Sequence, residues 1–146
     1  MTDIPAITSQ GPLARAMASA ASGMRAQALR ARLVAENLAN ANSTASTPGG
    51  NPYQRKMMTF TQAIDKATGA SIVEPGQEVA DTTPFRTNFD PSHPAADSTG
   101  YVKLPNVSEL VEAADMREAE RSYEANLATM SQARSMFSKT LDILKA

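Results

Sequence analysis

His93 is the only histidine of this chain, and it stands between two aspartates in Asp90-Pro91-Ser92-His93-Pro94-Ala95-Ala96-Asp97. An imidazole flanked by two carboxylates is the one residue set here that could bind a divalent metal or serve a Ser-His-Asp type of catalysis. Two prolines and an irregular spacing leave the ligand geometry undefined. The bland reading is a Pro-rich turn in which Asp90 caps and His93 is solvated. No nucleophile elbow or oxyanion motif accompanies the histidine. Gly49-Gly50 is followed by no G-x-x-x-x-G-K pattern and reads as a turn rather than a phosphate loop. Cysteine is absent, which removes thiol catalysis, disulfides and thiolate metal sites. Asn42-Ser43-Thr44 and Asn106-Val107-Ser108 match glycosylation acceptors, a pattern common by chance. The reading is therefore of no catalytic, cofactor or metal site, and of no small-molecule substrate.

What the sequence does specify is two long helices. Leu13 to Asn42 holds no proline and a single glycine, Gly23. Leu13, Met17, Ala20, Met24, Ala31, Val34 and Leu38 recur at alternating four- and three-residue steps, interrupted only by Gln27. Such a seam marks a helix that packs lengthwise on a partner, because an isolated one-sided helix is unstable in water. The repeated asparagines at its end, Asn37, Asn40 and Asn42, suit a frayed or left-handed terminus. A second breaker-free stretch runs from Asn106 to Ala146, with Asn106 or Ser108 as the expected cap and Glu109 and Glu112 favourably placed in its first turns. Its predicted seam is Met116, Tyr123, Leu127, Met130, Phe137, Leu141 and Leu144. The first stretch carries four arginines against Glu36 and the second seven acids against five bases, so opposite charge favours their pairing. At 1.5 Å per residue the helices would run roughly 45 and 60 Å, as in a rod-like hairpin.

Between them the chain changes character. STASTPGGNP, at 43–52, consists of turn formers. Tyr53 to Phe60 alternates as a strand. Thr61 to Thr68 is ambiguous, and Ser71 to Glu74, Gln77 to Ala80 and Phe85 to Phe89 are short extended candidates separated by Pro75-Gly76 and Pro84. Residues 90–100 read as loop. The expectation is a small, loop-rich β insertion over 43–105, with helical segments at 1–42 and 106–146, in a mainly α chain. Residues 1–12 lack periodicity and are expected to be weakly ordered alone.

Bulk composition agrees. Of 146 residues, 42% are hydrophobic but only 5% aromatic, with no tryptophan, so a large globular core is not expected. A net charge of −1 gives no reason to expect nucleic acid or an anionic membrane as partner. No apolar run is long enough to span a bilayer, and MTDIPAITSQGPL lacks the basic start and apolar centre of a cleaved signal peptide.

Ser19 to Thr44, SAASGMRAQALRARLVAENLANANST, resembles the N-terminal motif of bacterial flagellar axial proteins, the family of rod, hook and hook-associated subunits. GGNPYQRK at 49–56 and PFRTNFDPSHPAADSTGYVKLPNV at 84–107 narrow the resemblance to proximal rod subunits, and Arg121 to Leu144 looks like the family's C-terminal helix. The resemblance implies terminal helices paired as an inner coiled coil with the β-containing insertion outside. It implies helical assembly into a torque-transmitting rod that crosses the periplasm, with copies of the chain and other rod proteins as partners and basal-body rings around it. It also implies passage through the flagellar type III export apparatus without signal cleavage. The charged MREAERS stretch and the weak strand at Gln77 to Thr83 depart from the family pattern.

Within that frame, Leu13, Met17, Met24, Val34, Leu38 and the second seam are assigned to pairing inside the chain. The first helix is small and apolar on nearly all sides of its N-terminal half, more than one partner requires. Ala18, Ala21, Ser22, Gly23, Arg25, Arg30, Arg32, Asn37 and Asn40 are therefore the expected contacts with other subunits, the arginines meeting acids such as Glu112, Asp115 or Glu118 in the same or another chain. The methionines on the seams would serve as core filler or as an adaptable interface. The alternatives to a structural rod subunit are a soluble coiled-coil adaptor or export chaperone, and a small hydrolase built on His93.

Overall fold

The computed structural model describes residues 11–145; the expectation for residues 1–10 lies outside that range. Two long helices, α1 (Pro12–Ala39) and α2 (Glu109–Lys145), enclose in sequence four strands: β1 (Lys56–Ile64), β2 (Ser71–Ala80), β3 (Arg86–Phe89) and β4 (Tyr101–Leu104). The strands form two separate two-stranded sheets, β1 with β2 and β3 with β4. The chain is thus mainly α with a small β insertion.

Local chemistry sets the helix ends. Pro12 occupies the first helical position, where its missing N–H is not needed, and the Gly11 carbonyl accepts the first helical bond from Arg15 N at 3.0 Å. At the other end, Asn40 to Ser43 leave α1 through tight turns, with Ala41 N donating to Leu38 O and Ser43 N to Asn40 O. Among the described residues only glycines have positive φ, so the asparagines supply a turn and not a left-handed cap. Helix α2 starts after Ser108, whose carbonyl accepts from Glu112 N at 3.0 Å. Asn106 is not its cap, being occupied elsewhere.

The strands correct the sequence reading in three places. β1 starts at Lys56 rather than Tyr53, because Tyr53 to Arg55 are engaged with other segments: the Tyr53 hydroxyl with Asn37, the Gln54 amide with Asp81 O and Arg55 N with Asn106 Oδ1. β2 runs unbroken through Pro75-Gly76; in a two-stranded sheet every strand is an edge, so a residue without an N–H can face outward at no cost to the ladder. β4 was not expected, and it pairs antiparallel with β3 in the register Arg86↔Leu104 to Phe89↔Tyr101.

The Cα packing divides into two compact units. The first contains residues 11–29, Phe60–Gly76 and residues 119–145. Here α1 and α2 run in opposite directions. Leu13 and Ala16 share a groove with Ala133 and Met136, and Gly23 lies against Asn126. The buried residues are Ala20, Ser22, Ala26, Ala70, Ala119 and Ala133, all small. Close helix approach explains the main departure from the predicted α2 seam. Tyr123, Leu127 and Leu144 are 37, 48 and 56% exposed, whereas Ala119 and Ala133 are buried and Ser122 and Asn126 half-buried. Little but small side chains fits between backbones this close, so the large ones are displaced to the flanks. Met130, Phe137 and Leu141 are half-buried, as are Leu13, Met17 and Met24 of α1.

Gly23 carries the closest contact. A Cβ there would meet Asn126 Oδ1, Nδ2 and Cγ at 2.7–2.9 Å, and Asn126 is tied back by its Nδ2, which donates to Ser122 O at 2.8 Å. Alanine is preferred over glycine in a helix by about 1 kcal/mol, but here that gain is offset by displacing Asn126. We expect Gly23→Ala to leave the thermal midpoint equal or lower, and the same change on an Asn126→Ala background to stabilise by about 0.5–1 kcal/mol. Equal effects in both backgrounds, measured by chemical denaturation, would show that the contact is idle.

The second unit contains Arg30–Thr59 and Gln77–Glu118. Leu33, Val34, Ala41, Ala95, Val102, Pro105 and Val107 are buried in it; Leu38, Ala31 and Met116 are half-buried. The helices again run oppositely, Asn42 bonding Glu109 at 2.6 Å and Arg30 bonding Asp115 at 3.0 Å.

Candidate functional site

The largest fully buried side chains in the described residues include two polar ones, Glu112 at 0% and Asn37 at 1% exposure. A buried carboxylate without partners would be very costly, so its surroundings are the first place to look for purpose. Asn37 projects from α1 and uses its whole amide. Its Oδ1 accepts from the Tyr53 hydroxyl and from Lys56 N, both at 2.9 Å; its Nδ2 donates to Lys56 O at 2.9 Å and to Glu112 Oε2 at 3.0 Å. In effect the asparagine amide pairs with the Lys56 peptide as a neighbouring strand would, and so anchors the start of β1 on α1.

Glu112 receives its second donor from Arg55 Nε at 2.5 Å. Arg55 also faces Asp81 at 3.6 Å and Asp115 at 3.7 Å. Its backbone N–H donates to Asn106 Oδ1 at 2.8 Å and its carbonyl accepts from Asp81 N at 2.7 Å. The Asn106 Nδ2 in turn donates to Asp81 O and to Thr83, and Gln54 Nε2 donates to Asp81 O at 2.7 Å. Burial alone would lower the Arg55 pKa. The Glu112 hydrogen bond and the fields of Glu112, Asp81 and Asp115 outweigh it and hold the guanidinium above the ordinary arginine range. Burial first, and then the nearby Glu36 carboxylate, push the Tyr53 hydroxyl up, which keeps it a proton donor to Asn37. The Thr83 N–H chiefly holds the Asp81 carboxyl below its usual range, against the opposing effect of burial.

This node offers no idle nucleophile or base, since its acids and amides are engaged with one another. What it can do is fix geometry: α1, the 53–56 segment, the 81–83 turn, Asn106 and the first turns of α2 meet on one set of hydrogen bonds. The sequence reading placed Glu112 as a dipole-suited acid and a partner for the arginines of the first helix, and Asn106 as a cap; it gave Arg55 no role beyond a place in a strand. One signal was there to use, since Glu112 stands seven residues before Ala119, on the buried line of α2.

The nominated inter-subunit residues separate into groups. Ser22, Gly23 and Asn37 are closed off within the chain: Ser22 accepts from Val73 N at 3.1 Å, and the other two are engaged as described. Arg30 and Arg32 remain partly exposed but are paired, with Asp115 and Glu78 respectively, and Asn40 bonds back to Glu36 O. Ala18 and Ala21 are half-buried and Arg25 is exposed. The face of α1 around Ser22, read as surplus to one partner, is thus partly covered by the chain's own β1–β2 hairpin.

His93 lies in a turn. Its Nδ1 accepts from Ala95 N at 3.0 Å, and its N–H donates to Asp90 O. The Asp90 carboxylate accepts from Ser92, and that of Asp97 from Thr99 and from Tyr101 N. These bonds, led in each case by a hydroxyl, hold both carboxyls below their usual range. Among the described residues no three His, Asp or Glu side chains are grouped so as to hold a metal. Large apolar side chains left in solvent among the described residues include Leu110, Val111, Tyr123, Leu127, Met136, Ile143 and Leu144 on α2, Met57, Ile64, Val73 and Val79 on β1 and β2, and the edge-to-face pair Phe89–Tyr101, centroids 5.1 Å apart, on β3 and β4.

Residues 98–143 match the family described as flagellar basal body rod FlgEFG protein C-terminal. Over 135 residues the chain is 47% identical to the flagellar basal-body rod protein FlgC of Agrobacterium fabrum, covering 92% of this chain and 97% of that one. It is 38% identical over 125 residues to the protein of that name from Aquifex aeolicus, and 36% over 126 residues to the one from Salmonella typhimurium, covering 86 and 85% of this chain and 92% of each relative.

Proposed function

Because this chain belongs to the family of flagellar basal-body rod protein FlgC, we propose that it is a structural subunit of the proximal rod. The observation that carries this is 47% identity over 92% of the chain and nearly the whole of the relative. The subunit is not an enzyme, and the relatives do not favour the adaptor or chaperone alternative. Its work is mechanical: it assembles helically with copies of itself and with other rod proteins, and the array transmits torque.

Helices α1 and α2 form an inner coiled coil, with residues 43–105 displayed outside it. Antiparallel runs of α1 and α2 within each unit support this pairing. The outward contacts are Ala18, Ala21 and Arg25 on α1, together with the exposed Tyr123 and Leu127 on α2. The rod crosses the periplasm inside the basal-body rings, and the subunit reaches it through the flagellar type III export apparatus without signal cleavage. Deleting the gene should leave cells with no distal rod and no hook, restored by the gene in trans. Normal hooks in the deletion strain, seen by electron microscopy of purified basal bodies, would refute the assignment.

A further inference from the structure

We infer that Gln27 is a built-in opening point of the α1–α2 pair: its buried amide oxygen finds no donor there, so the pairing of residues 11–29 with 119–145 opens locally while the second unit stays closed. Local opening is a property of the subunit by itself, beyond its place in a rod.

Gln27 is the one polar interruption in the apolar seam of α1, between Met24 and Ala31. The residue is half-buried and its Oε1 is enclosed. Among the described residues this is the one buried side-chain oxygen or nitrogen without a hydrogen-bond partner. A buried acceptor left unmatched keeps its desolvation cost and gains nothing in return. In an isolated helix pair, a polar seam residue can serve to fix register. Here the register of α1 on α2 is already pinned by other groups, Arg30 bonding Asp115 and Asn37 bonding Glu112. What remains at Gln27 is the destabilisation.

The rest of the first unit does not offset it. Among the described residues, the side-chain bonds that join α1 directly to α2 start from Arg30, Asn37 and Asn42, and all three lie in the second unit. So does every ion pair among those residues. The residues buried in the first unit are small, Ala26 and Ala119 among them, and each contributes little apolar area. Its hairpin is held to α1 by an exposed bond from Arg15 Nε to Thr68 O and by Ser22 accepting from Val73 N. A segment with few large buried apolar side chains and few enclosed polar bonds opens at low free energy. The second unit, by contrast, buries Leu33, Val34, Val102 and Val107 together with the satisfied side chains of Asn37 and Glu112. An orphaned oxygen in one unit and a satisfied network in the other set their opening energies apart.

Deuterium exchange of the full chain, read segment by segment, provides the test. In the wild type, residues 20–29 should exchange roughly tenfold faster than residues 33–38. Gln27→Met keeps the length of the side chain and removes the amide. It should raise protection of residues 20–29 and 119–126 roughly tenfold, the gain from deleting an unmatched buried acceptor, and leave residues 33–38 and 109–116 unchanged. Gln27→Leu should act in the same direction. Gln27→Glu, which sets a carboxylate where no donor faces it, should lower protection of the same segments. Protection in Gln27→Met equal to or below wild type would mean that Oε1 has a donor, and overturns the inference. An equal rise in both units also overturns it, because that marks general stabilisation and not a local opening point. Loss of folding in both Gln27→Met and Gln27→Leu, seen by circular dichroism, has the same meaning as a drop in protection.

Discussion

Glu112→Ala is expected to lower the unfolding free energy by roughly 3–5 kcal/mol, the cost of removing one partner from a buried ion pair. The carboxylate is fully buried and accepts from both Arg55 Nε and Asn37 Nδ2. Without it, Arg55 keeps only the longer contacts to Asp81 and Asp115, and the Asn37 amide loses a bond it cannot replace from solvent. Because the Arg55 side chain is 18% exposed, water can relieve part of the strain, and the lower half of the range is the expected result. Glu112→Gln keeps the shape and an acceptor oxygen but removes the charge, so it should cost clearly less than alanine. Urea unfolding followed by circular dichroism provides the measurement. A loss under 1 kcal/mol for the alanine variant would mean that the node does not hold this unit together.

Asn37→Ala is the second large effect. Four hydrogen bonds end on this amide, and their partners, the Tyr53 hydroxyl, both polar groups of the Lys56 peptide, and Glu112, lie beside a residue that is 1% exposed. A buried group left unsatisfied costs about 1–3 kcal/mol, so a total of roughly 3 kcal/mol is expected after partial rescue by water. Asn37→Asp should be no better. A carboxylate cannot donate to Lys56 O, and it would stand against Glu112. The double variant Asn37→Ala with Glu112→Ala should cost less than the sum of the two, because each change already abolishes their shared bond. Strict additivity in a denaturation cycle would contradict a connected network. Residues 53–60 should also lose hydrogen-exchange protection selectively in Asn37→Ala, since this amide anchors the start of β1.

The two helices were legible because their signals are local. Thirty residues without proline and a repeating apolar step leave little freedom, and both ends fell within three residues of expectation. Turn-rich segments at 43–52 and 90–100 were equally local, since Gly, Pro, Asn and Asp act on their own backbone. The hairpin was less so. Pro75-Gly76 reads as a break unless it is known that β2 has only one neighbour, which is a fact about the sheet and not about the residues. β4, four residues long, carries too short an alternation to be read without its partner β3.

The packing face of α2 was the largest misreading. Hydrophobicity chose Tyr123 and Leu127, and close approach at Gly23 chose Ala119, Asn126 and Ala133. Periodicity registers which residues are greasy, but helix separation decides which of them fit, and separation depends on both helices at once. The surplus small face of α1 shows the same limit: the composition revealed that a second partner was needed, while only the folded chain revealed that its own hairpin supplies part of it. Sequence alone therefore determined two long terminal helices around a small β insertion and, through motifs shared over nearly the whole chain, the family. The tertiary structure decided the buried node of Asn37, Arg55 and Glu112, because residues up to 75 positions apart become partners only when burial removes water and leaves each polar group no other choice.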